Sequence, residues 1–196
     1  MNHPTERPQV TCTNVIIVDA DFADHVTFDL IVNFERMIGR PIPNADLARW
    51  IDCLALDGGV REGSDQTQVV LIHDSKRPRM ENFTPGGFAD ELNAKAFSDH
   101  LGEFVINAYT EESMVSKEEL LIDTLLLCCS SEEVKRVMVV PDDQYYDSVR
   151  KALRQAGDEK RITVFAMQPM PGGNFRQEIL GYSLMSALGI RAEEIP

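Results

Sequence analysis

Apolar residues recur along this chain in two rhythms, short unbroken runs and longer stretches with one apolar face. Val15-Ile-Ile-Val18 is a β-branched run ending in Asp19-Ala-Asp21, the pattern of a buried parallel strand that feeds a loop. Leu30, Ile31, Phe34, Met37 and Ile38 then fall on one face at helical spacing, with Gly39 and Pro41 closing that helix. A second helix carries Leu47, Trp50, Ile51 and Leu54, with Asn44 as its expected cap and Gly58-Gly59 as its end. Val69-Val-Leu-Ile72 reads as the second strand, before a loop over 75–87 and a short helix over 88–96. Glu103 to Tyr109 alternates as a third strand, and Ser116-Lys-Glu-Glu119 is a capping box opening a helix that reaches Cys129. Val137-Met-Val-Val140 and Ile162-Thr-Val-Phe165 are the fourth and fifth strands, separated by a helix over 142–155, and a final helix covers 175–188.

Strands alternating with helices imply right-handed crossovers and a mainly parallel sheet covered on both faces. The expected fold is α/β, a three-layer α/β/α sandwich around a five-stranded sheet. It forms one domain over 1–196, with an N-terminal tail at 1–13 and a C-terminal tail at 189–196. No internal repeat or low-complexity segment divides it.

Composition supports a single globular domain. The chain has 196 residues, 43% of them hydrophobic, and a net charge of -13, enough length to bury about 70% of its unfolded surface. The most membrane-like stretch, Leu120 to Cys129, is too short to span a bilayer and is interrupted by Asp123. The first ten residues lack the apolar core of a signal peptide, so a cytoplasmic protein with no membrane partner is expected. Cys12, Cys53, Cys128 and Cys129 lack zinc-cluster spacing and read as reduced thiols.

Chemistry concentrates at the strand ends. Ligands of such sheets bind outside the carboxyl ends of the strands, and there the chain places Asp19 and Asp21, Asp74, and Asp142 with Asp143. Clustered carboxylates resist ionisation unless a cation sits among them, and hard divalent ions take oxygen ligands. A Mg²⁺ or Mn²⁺ site on Asp19, Asp21, Asp123, Asp142 and Asp143 is therefore expected. For Asp142 and Asp143, helix capping is an equally good account. Asp123, the lone charge in an apolar helix, either pairs with Lys117 or Arg136 or joins the rim, and Glu119 competes for the same role. Lys76, Arg77 and Arg79 offer positive charge beside the rim, although a solvated loop explains them too. Trp50 reads as core, His73 as a rim residue, and the Pro-Gly-Gly segments at Pro85 and Pro171 as turns, since neither continues into a nucleotide-binding loop.

Val18-Asp19-Ala-Asp21, the helix acid at Asp123 and Val139-Val-Pro-Asp142-Asp-Gln-Tyr145 together resemble the NYN branch of the PIN-like ribonuclease superfamily, over 14–167. The resemblance implies a PIN-like fold and bacterial Mg²⁺-dependent hydrolysis of RNA, with Asp19, Asp123 and Asp142 as catalytic ligands and Asp143 in place of the missing acid; Asp21 would add a further metal ligand, and Lys76, Arg77 and Arg79 the positive charge that an RNA substrate needs. Val140-Pro141 replaces the family's Ser-Gly, Gln144 its second Asp, Phe22 its Asn and Tyr145 its Phe. The chain also resembles small uncharacterised proteins of gut Bacteroidetes. Haloacid dehalogenase-like phosphatases share the same landmarks. That resemblance implies Asp19 as nucleophile, Asp21 as general acid, Ser75 as phosphate contact, Lys117 or Lys135 as charge clamp, and Asp142 with Asp143 or Asp147 as Mg²⁺ ligands. Against it, Ala23 stands where Thr or Val is usual and no cap insertion follows strand one. The third reading is a binding or regulatory module that lost its site, with a protein partner or a second copy, since the net negative charge leaves RNA binding weak and salt-dependent.

Overall fold

The computed structural model describes residues 7–112 and 114–196; part of the expected N-terminal tail, His3 included, lies outside the described residues. At its centre is β1 (Asn14–Asp19), buried along its whole length. It is flanked in parallel register by β3 (Thr67–His73) and β7 (Arg136–Val140). Outside these lie β6 (Gly102–Thr110) and β8 (Arg161–Ala166), also parallel. All five are the strands that the apolar runs announce.

The sheet nevertheless has seven strands, not five. β5 (Lys95–Asp99) pairs antiparallel with β6 at one edge, and β9 (Arg176–Ile179) pairs parallel with β8 at the other. Both edge strands are largely exposed and polar, so neither carries the apolar signature of a buried strand. The short helix expected over 88–96 is correspondingly one wide helical turn, Phe88–Leu92, followed by β5. The helix expected over 175–188 is β9 followed by α5 (Leu180–Ala187). A two-residue ladder pairs β2 (Ala45–Asp46) with β4 (Phe83–Thr84) apart from the main sheet.

Helices cover both faces. α1 (Ala20–Ile38), α2 (Leu47–Asp57) and α5 pack against one, where Ile16, Val18, Val69, Leu71, Met138 and Phe165 form the core. α3 (Lys117–Ser130) and α4 (Tyr146–Leu153) cover the other, over Val15, Ile17, Val70, Ile72, Val139 and Val164. Trp50 belongs to the first core, and its indole N–H donates to Ser183 Oγ at 3.0 Å, tying α2 to α5. The final helix thus docks on its own chain. No described helix is long and apolar enough to cross a membrane.

The six parallel strands stand in the order β6-β3-β1-β7-β8-β9. From β1 the chain moves outward to β3 and β6, then returns to β7 on the other side. The order therefore reverses between β1 and β7, and a crevice opens at their carboxyl ends.

Candidate functional site

Two local rules bring charge to that crevice. A helix begins directly after β1, without the expected loop, and Asp19 caps it: Asp19 Oδ1 accepts from the Phe22 N–H at 3.0 Å. On the opposite face Ser116 and Glu119 form the expected capping box, and α3 starts at the next residue, Lys117. The ammonium of Lys117 lies 3.0 Å from Asp21 Oδ2 and 3.3 Å from Asp19 Oδ1, bridging the two acids. Asp21 Oδ2 also accepts from the Asp74 N–H at 2.7 Å, which locks the β3 loop to the start of α1.

Asp19 is sealed beneath this bridge, with a side chain only 1% exposed. Burial pushes its carboxyl above the usual range; Lys117 and the Phe22 amide pull it back, and the charges of Asp21 and Asp142 push it further up. Burial alone would lower the Lys117 ammonium, yet the two carboxylates outweigh it and the net shift is upward. Tyr145 stands against the same group: burial and the Asp19 charge raise its phenol. The outer cleft has a volume of about 240 Å³ and is lined by Asp21, Phe22, His25, Asp74, Arg77, Lys117 and Asp142. Lys117 lines it and Asp19 does not.

The expected residues thus separate. Asp19, Asp21 and Asp142 converge on the crevice. Asp142 caps the 143–145 turn, its Oδ1 accepting from the Gln144 N–H at 3.0 Å, and the neighbouring Asp142 raises Asp143. Asp123 does not join them. It is exposed on α3, because the helix turns that position away from the sheet, and it lines a different cavity of about 580 Å³ with Arg7, Glu112 and Leu127. Neither of its expected partners holds it, since Lys117 faces Asp19 and Arg136 bonds Asn14. Glu119 is occupied by the capping box. Of the three loop cations, Arg77 reaches the cleft, whereas Arg79 approaches Glu81 at 3.8 Å and Lys76 is exposed.

Oxygen donors of Asp19, Asp21 and Asp142 suit a hard cation in kind. Their arrangement does not: Lys117 already fills the space between Asp19 and Asp21, and no group of three or more metal-type ligands is assembled among the described residues. For covalent chemistry Asp19 lacks an exposed oxygen, and Asp21 is held as an acceptor by Lys117 and the Asp74 amide, the reverse of a general acid. Ser75 is tied to Glu111 at 3.0 Å. Of the two lysines that the phosphatase resemblance implies, Lys117 is the one that bridges Asp19 and Asp21.

One further expectation needs correction. α2 is capped by Asp46, which accepts from the Arg49 N–H, and not by Asn44, whose amide reaches Glu81 O across the chain. His73 ends β3 at the rim, as expected, and is buried against Phe88, their rings stacked 3.6 Å apart, with Nδ1 near the carbonyls of Asp74 and Arg77. All four cysteines are free. No curated protein and no solved structure matches the chain. A family model does match, over residues 9–195, and the chain belongs to that family, DUF6621, a family of unknown function.

Proposed function

We propose that this chain is a PIN-like domain that acts by binding and not by catalysis, its acidic rim neutralised from within by Lys117. The observation that carries this reading is the ammonium 3.0 to 3.3 Å from Asp21 and Asp19, which meets the charge demand that a divalent ion would otherwise meet. The absence of Asp123 from the rim and the presence of Gln144 where the resembled family has an acid support it. A net charge of -13 disfavours an RNA partner, so a protein is the partner class.

A second reading, a Mg²⁺- or Mn²⁺-dependent RNA phosphodiesterase, is favoured by one observation. Asp142 and Asp143 are adjacent, the former raises the latter, and a cation beside them would relieve Asp143.

One experiment separates the two. Mg²⁺ and Mn²⁺ are titrated calorimetrically into the full chain, into Asp19→Asn and into Asp142→Asn, and the same proteins are incubated with end-labelled single-stranded RNA. The binding reading expects no heat at millimolar metal and no cleavage. Metal binding lost in both variants, together with metal-dependent cleavage by the unaltered protein, would overturn it in favour of the phosphodiesterase.

A further inference from the structure

The opposite end of the sheet holds the reverse arrangement. Thr67, Asn14, Arg136 and Arg161 are successive register partners across β3, β1, β7 and β8. Their side chains point to the α2 face, as do Val69, Ile16 and Met138 two residues along and Phe165 four along. Arg136 Nη1 donates to Asn14 Oδ1 at 3.0 Å. The Nε atoms of Arg136 and Arg161 and the hydroxyls of Thr67 and Thr163 are buried without any hydrogen-bond partner. Buried donors left in this state cost free energy, and three of them at the first positions of β3, β7 and β8, with Thr163 two residues further along, require an explanation.

Charge sharpens the point. Arg61, on the loop after α2, is close enough for it and Arg161 to depress Arg136 beyond what burial does alone. Among the described residues none of the three arginines has a carboxylate partner, in a chain with 32 acids. Arg61 reaches only backbone, Val60 O at 3.1 Å. The cradle is shaped for a guanidinium: Gly59, at φ +93, lies so close to Arg161 that an added Cβ would stand 2.6 Å from its Cζ. Arg161 also lines a cavity of about 470 Å³ together with Lys160, Arg176, Asp158 and Glu159, so this arginine is reached from solvent.

We propose that Arg61, Arg136 and Arg161 form a binding site for a tetrahedral oxyanion, with a phosphate group as its ligand. Planar guanidinium groups and hydroxyl donors are the chemistry that recognises phosphate, by paired N–H donors and opposite charge. The site lies at the amino ends of the strands and is independent of the acidic rim.

The test uses the full chain at constant ionic strength. Inorganic phosphate and a nucleoside 5′-monophosphate are titrated calorimetrically and by thermal shift into the unaltered protein, Arg136→Met, Arg161→Met and Arg154→Met, the last an exposed residue just past the end of α4 that does not line the Arg161 cavity. Expected is saturable millimolar or tighter binding that weakens at least tenfold in the first two variants and persists in Arg154→Met. Because removal of either arginine relieves repulsion, both variants should melt no lower than the unaltered protein without ligand; Arg61→Met carries the same test should one fail to fold. Tighter binding of the nucleotide assigns the phosphate to a nucleotide, and equal binding assigns it to the free ion. No saturable binding, or an equal rise in melting temperature in Arg161→Met from the general stabilising effect of phosphate, would overturn the site, and ordered water would then account for the orphaned donors.

Discussion

Lys117 and Asp19 illustrate how much a single pair can demand. Removing one partner of a buried pair leaves the other charge uncompensated, at a cost of about 3–5 kcal/mol. With Lys117 20% exposed, Lys117→Met should lose about 3 kcal/mol, toward the lower end of that range. The loss should shrink at low pH, since burial already favours protonation of Asp19 and the variant would raise its carboxyl further. Denaturant titrations at pH 5 and pH 8 check both statements; an equal loss at the two pH values would mean that packing, not charge, is what the lysine contributes. Asp52 on α2 is a second such residue. Burial, the facing carboxyl of Asp99 and the charge of Asp46 push it up to about 7, against the pull of His100. A carboxyl that binds its proton more tightly when folded contributes stability fully present below its unfolded value of about 4, and lost as pH rises through about 7. Asp52→Asn should therefore melt higher than the unaltered protein at pH 8 and much the same at pH 4. Because Asp52 is only half-buried, solvent screening reduces the expected gain to about 1 kcal/mol, or roughly 2–4 °C.

Elements place these residues, and the cap of α3 is the clearest case. Ser116 accepts from the Glu119 N–H at 3.2 Å and Glu119 returns the bond to the Ser116 N–H at 2.9 Å, which starts the helix where Lys117 must stand. Ser116→Ala should cost about 1 kcal/mol, read as a lower midpoint in a urea titration with unchanged slope. A changed slope would mean that the cap governs more than the first turn. This cap was legible in the sequence because its signal is local, and so were β1, β3, β6, β7 and β8, whose apolar runs require burial. The edge strands were not: Lys95-Ala-Phe-Ser-Asp99 and Arg176-Gln-Glu-Ile179 are mostly exposed and polar, and the single inward contact of Phe97 on Phe104 is too little to mark a strand in the sequence. The start of α1 was hidden because Asp19 serves both as the last residue of β1 and as the helix cap. The site was half legible. Strand-end acids are marked by sequence, but which side of α3 carries Asp123, and which acid finds a lysine about a hundred positions away, depends on how the helix docks.

Across the whole molecule the two charge clusters follow the direction of the helices. In a parallel sheet with right-handed crossovers, helix amino ends gather at the carboxyl rim of the strands and helix carboxyl ends at the opposite side. The positive ends of the helix dipoles then favour acids at the rim, where Asp19, Asp21, Asp142 and Asp143 stand. The negative ends favour cations opposite, where Lys160 donates to Ser131 O just past the end of α3 and Arg61 to Val60 O just past the end of α2. β1 and β7 connect the two clusters, and a strand of this length measures ~20 Å. That separation is about two and a half times the Debye length at physiological salt, ~8 Å. At 150 mM salt the rim and the arginine cluster should therefore behave as independent sites. The stability change of the double variant Lys117→Met/Arg161→Met should equal the sum of the single changes to within about 0.5 kcal/mol, measured by urea unfolding. Because screening is the reason for that independence, repeating the cycle at 10 mM salt, where the Debye length is ~30 Å, should reveal an interaction term. A large term at 150 mM salt would instead require β1 and β7 to couple the two ends mechanically.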